Sequence, residues 1–252
     1  MSRRRYEFTE REWSIIVPLL PCKPRGVPRV DDRMVLNGVM WRFRTGSSWS
    51  EISERYGVAA TCYNRFVRWR RAGVWDRLLE AVSEAYNSDI VMIDSTCVRV
   101  HQHEATGKKG MPTMVAWEFP WRLTSKIHAI VDAEGRQINL CLTGSQVFDC
   151  SQAEGLMACI KEGGTLLADK AYYTDAIRKM AGRKIWANIP PKSSHKGVFA
   201  FSTWVYRRRN LVKRFFNRIK YYRGISTRYD KIPDNFLAAI KLIAFRIWCI
   251  SL

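Results

Sequence analysis

The chain has 252 residues, of which 47% are hydrophobic and ten are tryptophan, enough to bury a core and a small accessory domain and too apolar for a disordered chain. Its formal charge of +19 calls for a polyanionic partner, and nucleic acid suits such a chain better than a membrane surface. Seven cysteines, without a CxxC pair or zinc spacing, speak against a disulfide framework or a zinc finger and for reduced thiols in a cytosol.

The first residues, Met1 to Glu7, lack the apolar core of a signal peptide. Thr9 followed by Glu12 is a capping-box pattern that opens a helix carrying Trp13, Ile16 and Leu20. Asp31 and Asp32 open a second helix with an apolar stripe of Val35, Val39 and Phe43. Ser48 to Tyr56 reads as a short helix stopped by Gly57, and Ala59 to Ala72 as a longer basic one. Short helix, glycine turn and basic helix make a helix-turn-helix pattern within an all-α segment, residues 1–86. Asn64, Arg65, Arg68 and Arg71 are its candidate DNA-binding residues, with Phe66, Val67 and Trp69 on the packing side. An ordinary helical hairpin with a solvated basic face is the alternative.

From residue 89 the period changes to that of strands. Ile90–Val100, Lys126–Val131 and Gln137–Leu142 are β-branched or alternating runs separated by turns such as Ala133-Glu134-Gly135. Helix (151–160), short buried strand (165–168), helix (174–180) and strand (185–189) follow. Trp204–Tyr222 reads as one long basic helix with an apolar stripe of Leu211, Phe215, Ile219 and Tyr222, and with Arg207, Arg214 and Arg218 elsewhere. Pro233 and Asp234 start a last helix. Lys241 and Arg246 interrupt its apolar stretch, so it packs on protein and does not span a membrane. Residues 87–252 thus have the order of an α/β, ribonuclease H-like mixed sheet with flanking helices. His101 and His103, at i and i+2 on a strand without a third ligand, fit a structural or phosphate-facing role better than a metal site.

Two aspartates end apolar strands, in Ile93-Asp94-Ser95-Thr96 and Leu167-Ala168-Asp169-Lys170-Ala171-Tyr172, and the basic helix carries Tyr206, Arg209, Lys213 and Lys220. These contexts resemble the acidic-triad (DDE) transposases of bacterial insertion sequences, in the insertion-sequence-five group. Lys126-Ile127-His128, Pro190-Pro191-Lys192 and Thr227-Arg228-Tyr229-Asp230 extend the resemblance over nearly the whole chain. It implies that Asp94 and Asp169 are catalytic metal ligands and that Tyr206, Arg209 and Lys220 assist the site or hold the DNA end. It implies two Mg²⁺ (or Mn²⁺) ions in an intact site, roughly 3.5–4 Å apart. It also implies double-stranded DNA as partner, both element ends and target, a homo-oligomer in the synaptic complex, and residence in the bacterial cytoplasm with the nucleoid.

Three positions depart from the family pattern. Lys213 stands where the third acid, a glutamate, is expected, and a protonated amine cannot ligate magnesium. Asp149 and Asp230 are the acids available to replace it. Phe148 stands where a His-Asp pair is usual. Residues 110–122 replace a glycine-rich run. Read one base out of register they give a Gly- and Asp-containing run, so two compensating frameshifts and a tolerated loop substitution both account for them. The resemblance therefore points to a transposase that binds terminal inverted repeats and performs metal-dependent cleavage and strand transfer, with the third acid lost in this copy. The alternative is a non-catalytic DNA-binding remnant or inhibitor of transposition; a host nuclease of the same fold is a weaker third.

Overall fold

The computed structural model describes residues 6–21, 29–83, 89–101, 124–181, 185–191 and 200–251. Residues 110–122, His103, Lys192 and the 86/87 domain boundary lie outside the described residues. Two compact units are present: residues 1–84 with 219–252, and residues 85–218.

In the first unit, helix α1 (Glu10–Ile16) has the capping box read from the sequence. Thr9 Oγ1 accepts from the Glu12 amide at 3.1 Å, and the Thr9 amide donates to Glu12 Oε2 at 2.6 Å. Helix α2 (Asp32–Thr45) starts under an Asp31 cap and ends at Gly46 in the left-handed region. Its stripe of Val35, Val39 and Phe43 is fully buried. Residues 48–56 differ from the expected helix: they form two 3₁₀ turns, Trp49–Glu51 and Glu54–Tyr56. The extended backbone at Ile52 (ψ 125°) separates them and lets Ile52 and Tyr56 both reach the core. Gly57, at φ 85°, then turns the chain into α3 (Ala59–Arg71). Helix α4 (Val74–Ser83) follows, and Phe43, Trp49, Phe66, Trp69 and Trp75 form one aromatic cluster with centroids 5.4–5.9 Å apart.

The second unit holds β1 (Ile90–Val100), β2 (Thr124–Val131), β3 (Gln137–Gly144), α5 (Ala153–Met157), β4 (Thr165–Leu167), α6 (Asp175–Ala181) and β5 (Trp186–Asn188). The strands run β3-β2-β1-β4-β5. The pairs β1/β2 and β2/β3 are antiparallel; β1/β4 and β4/β5 are parallel. This mixed sheet, flanked by helices and with β1 and β4 adjacent, is ribonuclease H-like. Asp132, fully buried, closes the β2–β3 turn by accepting from the amides of Glu134 and Arg136 at 3.0 and 2.8 Å.

The basic segment is not one uniform helix. It comprises α7 (Thr203–Tyr206), a 3₁₀ turn (Arg207–Arg209) and α8 (Asn210–Lys220). The tighter turn shifts the helical phase. Val212, Phe215, Phe216 and Ile219 are buried, whereas Leu211 and Tyr222 of the expected stripe are only half-buried.

The chain ends in α9 (Arg223–Ser226) and α10 (Pro233–Ser251), which group with the first unit. There Arg246 Nε donates to Glu12 at 3.0 Å, so the capping-box glutamate also neutralises a buried arginine. No helix among the described residues is long and apolar enough to cross a membrane.

Candidate functional site

The register of β1 against β4 explains how two distant aspartates meet. Met92 pairs with Leu167, and Asp94 and Asp169 each lie two residues further on. The two-residue repeat of a strand therefore sends both side chains to one face at neighbouring positions. Asp94 is buried and accepts the Ser95 amide on Oδ1 at 2.9 Å. Asp169 caps the turn Lys170–Tyr172, Oδ1 accepting from the Ala171 amide at 2.8 Å.

Their remaining oxygens share one donor. Arg209 Nη2 donates to Asp94 Oδ2 at 2.8 Å and to Asp169 Oδ2 at 3.2 Å. Tyr206 backs the guanidinium, its ring centroid 5.8 Å away and its hydroxyl 3.4 Å from Nη1. A side-chain amide fixes the start of this helical segment: Asn188, fully buried at the end of β5, donates to the Ser202 carbonyl at 2.9 Å and accepts the Ser202 amide at 2.8 Å. Ser202 in turn caps α7.

Burial raises the pKa of Asp94, and the neighbouring Asp169 adds to the rise, against the opposing pull of Arg209 and the Ser95 amide. The single guanidinium therefore does not fully compensate the ionised carboxylate. For Arg209, burial works against the charge, but Asp94, Tyr206 and Asp169 outweigh it and its pKa is raised. Tyr172 is fully buried beside this site, and its hydroxyl has no hydrogen-bond partner among the described residues. Burial first, then Asp149, Asp94 and Asp169, push its phenol up.

Asp149 and Asp230, the acids expected from the sequence as possible further ligands, are both engaged. Asp149 Oδ1 accepts from Lys126 Nζ at 2.9 Å and from Ser95 Oγ at 2.8 Å. Asp230 is buried against Arg42 at 3.2 Å in the first unit. Lys213 is exposed one turn beyond Arg209, and Lys220 lies half-buried in the last turn of α8. Among the described residues no three His, Cys, Asp or Glu side chains converge as a metal-binding group. Asp94 and Asp169 offer the hard oxygen donors that one divalent cation needs; the donor set does not fit a two-ion cage.

On α3, Asn64, Arg68 and Arg71 are exposed, but Arg65 is not. Arg65 corrects the sequence expectation: it is buried, donates to the Val30 carbonyl at 3.0 Å and pairs with Asp32. Asp32 lies at the start of α2, so Arg65 joins the two helices and does not face solvent. The Asn188 clasp is not anticipated by the sequence reading; its signal is an amide at the end of a short apolar strand, whereas Asp149, expected as a possible further ligand, serves as an anchor for Lys126 and Ser95.

A family model of the transposase DDE domain matches residues 86–248, and one of transposases of the IS4/5 family matches residues 8–79. A Brucella ovis protein named as a transposase for insertion sequence element IS6501 is 32% identical over 128 residues, half of this chain and 98% of that protein. A 16.2 kDa protein of insertion element IS402 from Burkholderia cepacia is 40% identical over 76 residues, 27% of this chain and 52% of that protein. Among solved structures, the Mos1 transposase paired-end complex with left transposon end aligns with 92% of this chain and 81% of its own at 14% identity. Its TM-score is 0.28. With a DDE-domain match across most of its length, the chain belongs to the DDE transposases of the IS4/5 group of insertion sequences.

Proposed function

We propose that this protein recognises the terminal inverted repeats of its own insertion sequence and that its strand cleavage is crippled at position 213. The observation that supports this reading is the meeting of Asp94 and Asp169 at one guanidinium; the family resemblance sets Lys213, which is exposed, where the third acid is expected. Asp94 and Asp169 are the ligands of a divalent cation, Mg²⁺ or Mn²⁺, which when bound would supply charge neutralisation at the scissile phosphate. Lys213 brings positive charge instead of a further ligand.

The first unit is the DNA reader. Asn64, Arg68 and Arg71 stand exposed on α3, an amide and two guanidinium groups suited to base edges and phosphates. Tyr206 and Lys220, on the segment that carries Arg209, are further candidate DNA contacts, a phenol and an ammonium group suited to phosphates. Recognition is assigned to residues 1–86, with α9 and α10 grouping with that reader, and chemistry to the sheet unit up to residue 218. Synapsis of two element ends makes the working form a homo-oligomer in the bacterial cytoplasm.

A second reading, a non-catalytic remnant that occupies element ends, draws on the same arginine: Arg209 fills the carboxylate pair and offsets part of its charge. Binding of the full chain to the gene's own terminal DNA, against scrambled DNA of equal length, tests recognition. Preference for the ends, without nicking in Mg²⁺ or Mn²⁺, is the expected result. Equal affinity for both DNAs would contradict end recognition, and nicking by the native chain would contradict impairment.

A further inference from the structure

The group that meets the paired carboxylates is a side chain of the protein itself. One nitrogen of Arg209 serves Asp94 and Asp169 together, so it occupies the position in which a cation shared by the two oxygens would sit. Three observations make this an occupied but replaceable arrangement. Arg209 is incompletely bound: its Nε is buried without a hydrogen-bond partner among the described residues, a costly condition for a charged donor. Its tether to Tyr206 is long, at 3.4 Å. And Arg209 is half-buried, on a helical segment whose next residues run outward to exposed Asn210, Lys213 and Arg214, so the side chain has a short path to solvent.

We infer that Arg209 is a resident counter-ion: it closes the Asp94–Asp169 pair in the metal-free protein and must withdraw before a divalent cation can bind there. Resting on the assignment of these aspartates as metal ligands, the inference extends to Lys213. Residues 209 and 213 are four apart in continuous right-handed helical backbone, so their side chains are neighbours on the helix surface. A glutamate at 213 would offer the withdrawn guanidinium an acceptor. Lysine repels it and leaves the two aspartates as its partners. The single substitution therefore acts twice, deleting a ligand and holding the plug in place.

The test is Mn²⁺ binding to the full chain without DNA, read from loss of the free-ion electron paramagnetic resonance signal. Native protein, Arg209→Gln and Tyr206→Phe are compared, each with and without Asp94→Asn. Removing the competing charge should tighten binding by about tenfold or more, the equivalent of about 1.4 kcal/mol. Loosening the tether in Tyr206→Phe should tighten it by about threefold, and Asp94→Asn should abolish the gain in both. Metal-free Arg209→Gln should melt below the native protein and recover more on adding Mn²⁺ than the native protein does.

Equal affinity in native and Arg209→Gln protein, still lost with Asp94→Asn, would overturn the counter-ion while leaving the ligand assignment intact. Binding in neither would defeat the ligand assignment and with it this inference. Binding that survives Asp94→Asn would place the ion elsewhere and overturn it equally. Should Arg209→Gln not fold, the Tyr206→Phe comparison decides, and unchanged affinity there contradicts the inference.

Discussion

Arg209 and Asp94, 115 positions apart in sequence, are joined at 2.8 Å, with the guanidinium meeting the middle of β1. The pair depends on where the chain re-enters the helix, and Asn188 sets that point through two hydrogen bonds to Ser202.

Asn188→Ala should therefore loosen the segment that carries Arg209. Two buried hydrogen bonds at about 1 kcal/mol each give an expected loss of about 2 kcal/mol. Urea unfolding measures it, and faster hydrogen exchange at the amides of 203–209 than in the native protein should accompany it. An unchanged exchange pattern would mean the clasp does not hold the helix.

His128 gives the sheet a pH dependence. It is fully buried, with Nε2 2.8 Å from Thr143 Oγ1. Burial lowers its pKa from 6.5 to about 4; Lys126 adds to the fall and Asp149 opposes it. Between those values the unfolded chain binds more protons than the folded one, so stability rises with pH. The contribution is complete above 6.5 and lost as pH falls through about 4, and amounts to at most about 3 kcal/mol. His128→Gln should flatten the slope of unfolding free energy between pH 4 and 7. A variant with the native slope would show that another group titrates.

Arg65 and Arg68, three residues apart on one helix, should fail in opposite assays. Arg68 is exposed, so Arg68→Ala should leave stability within about 0.5 kcal/mol. It should also lower DNA affinity and reduce the slope of log affinity against log salt by about one phosphate contact. Arg65 is buried on Asp32 and Val30. Its removal takes away the hydrogen bond to Val30 and one of the two guanidinium partners of Asp32, Arg29 remaining as the other, for a cost of about 1–3 kcal/mol. Fluorescence anisotropy across a salt series, alongside urea unfolding, separates the two; a destabilised Arg68→Ala protein would reverse the assignment.

Gly38 lies inside α2, where alanine would ordinarily stabilise by about 0.5–1 kcal/mol. A Cβ there would stand 2.8 Å from Cβ of Tyr56, an atom close to the backbone that cannot swing away. Overpacking of this kind costs about 1–3 kcal/mol, so Gly38→Ala should be net destabilising. A gain in melting temperature would show that the 3₁₀ turn yields.

Much of this was legible in the sequence because it rests on local signals. Thr9 with Glu12, Asp31 before Asp32, and the strand periods around Asp94 and Asp169 are short-range patterns with one physical solution each. The same signals misled where tertiary packing decides. Ser48–Tyr56 has helical composition, but Ile52 and Tyr56 can both reach the core only if the backbone extends between them. Arg65 has the helical spacing of a DNA-facing residue, and only the placement of Asp32 against it reveals an internal tie. The carboxylate pair could be read from strand order. Arg209 entered only through the family resemblance, and its direct contact with both carboxylates could not be read, because a 3₁₀ turn within the basic helix sets the phase that delivers it.

The most direct test of the account is metal-dependent nicking of DNA spanning the element's own ends by the native protein and by Lys213→Glu, in Mg²⁺ and in Mn²⁺. Cleavage by the variant alone is predicted, since one substitution restores a carboxylate and gives Arg209 an acceptor away from Asp94 and Asp169. Cleavage by the native protein would contradict the account, because it would mean that the site works with a lysine at position 213.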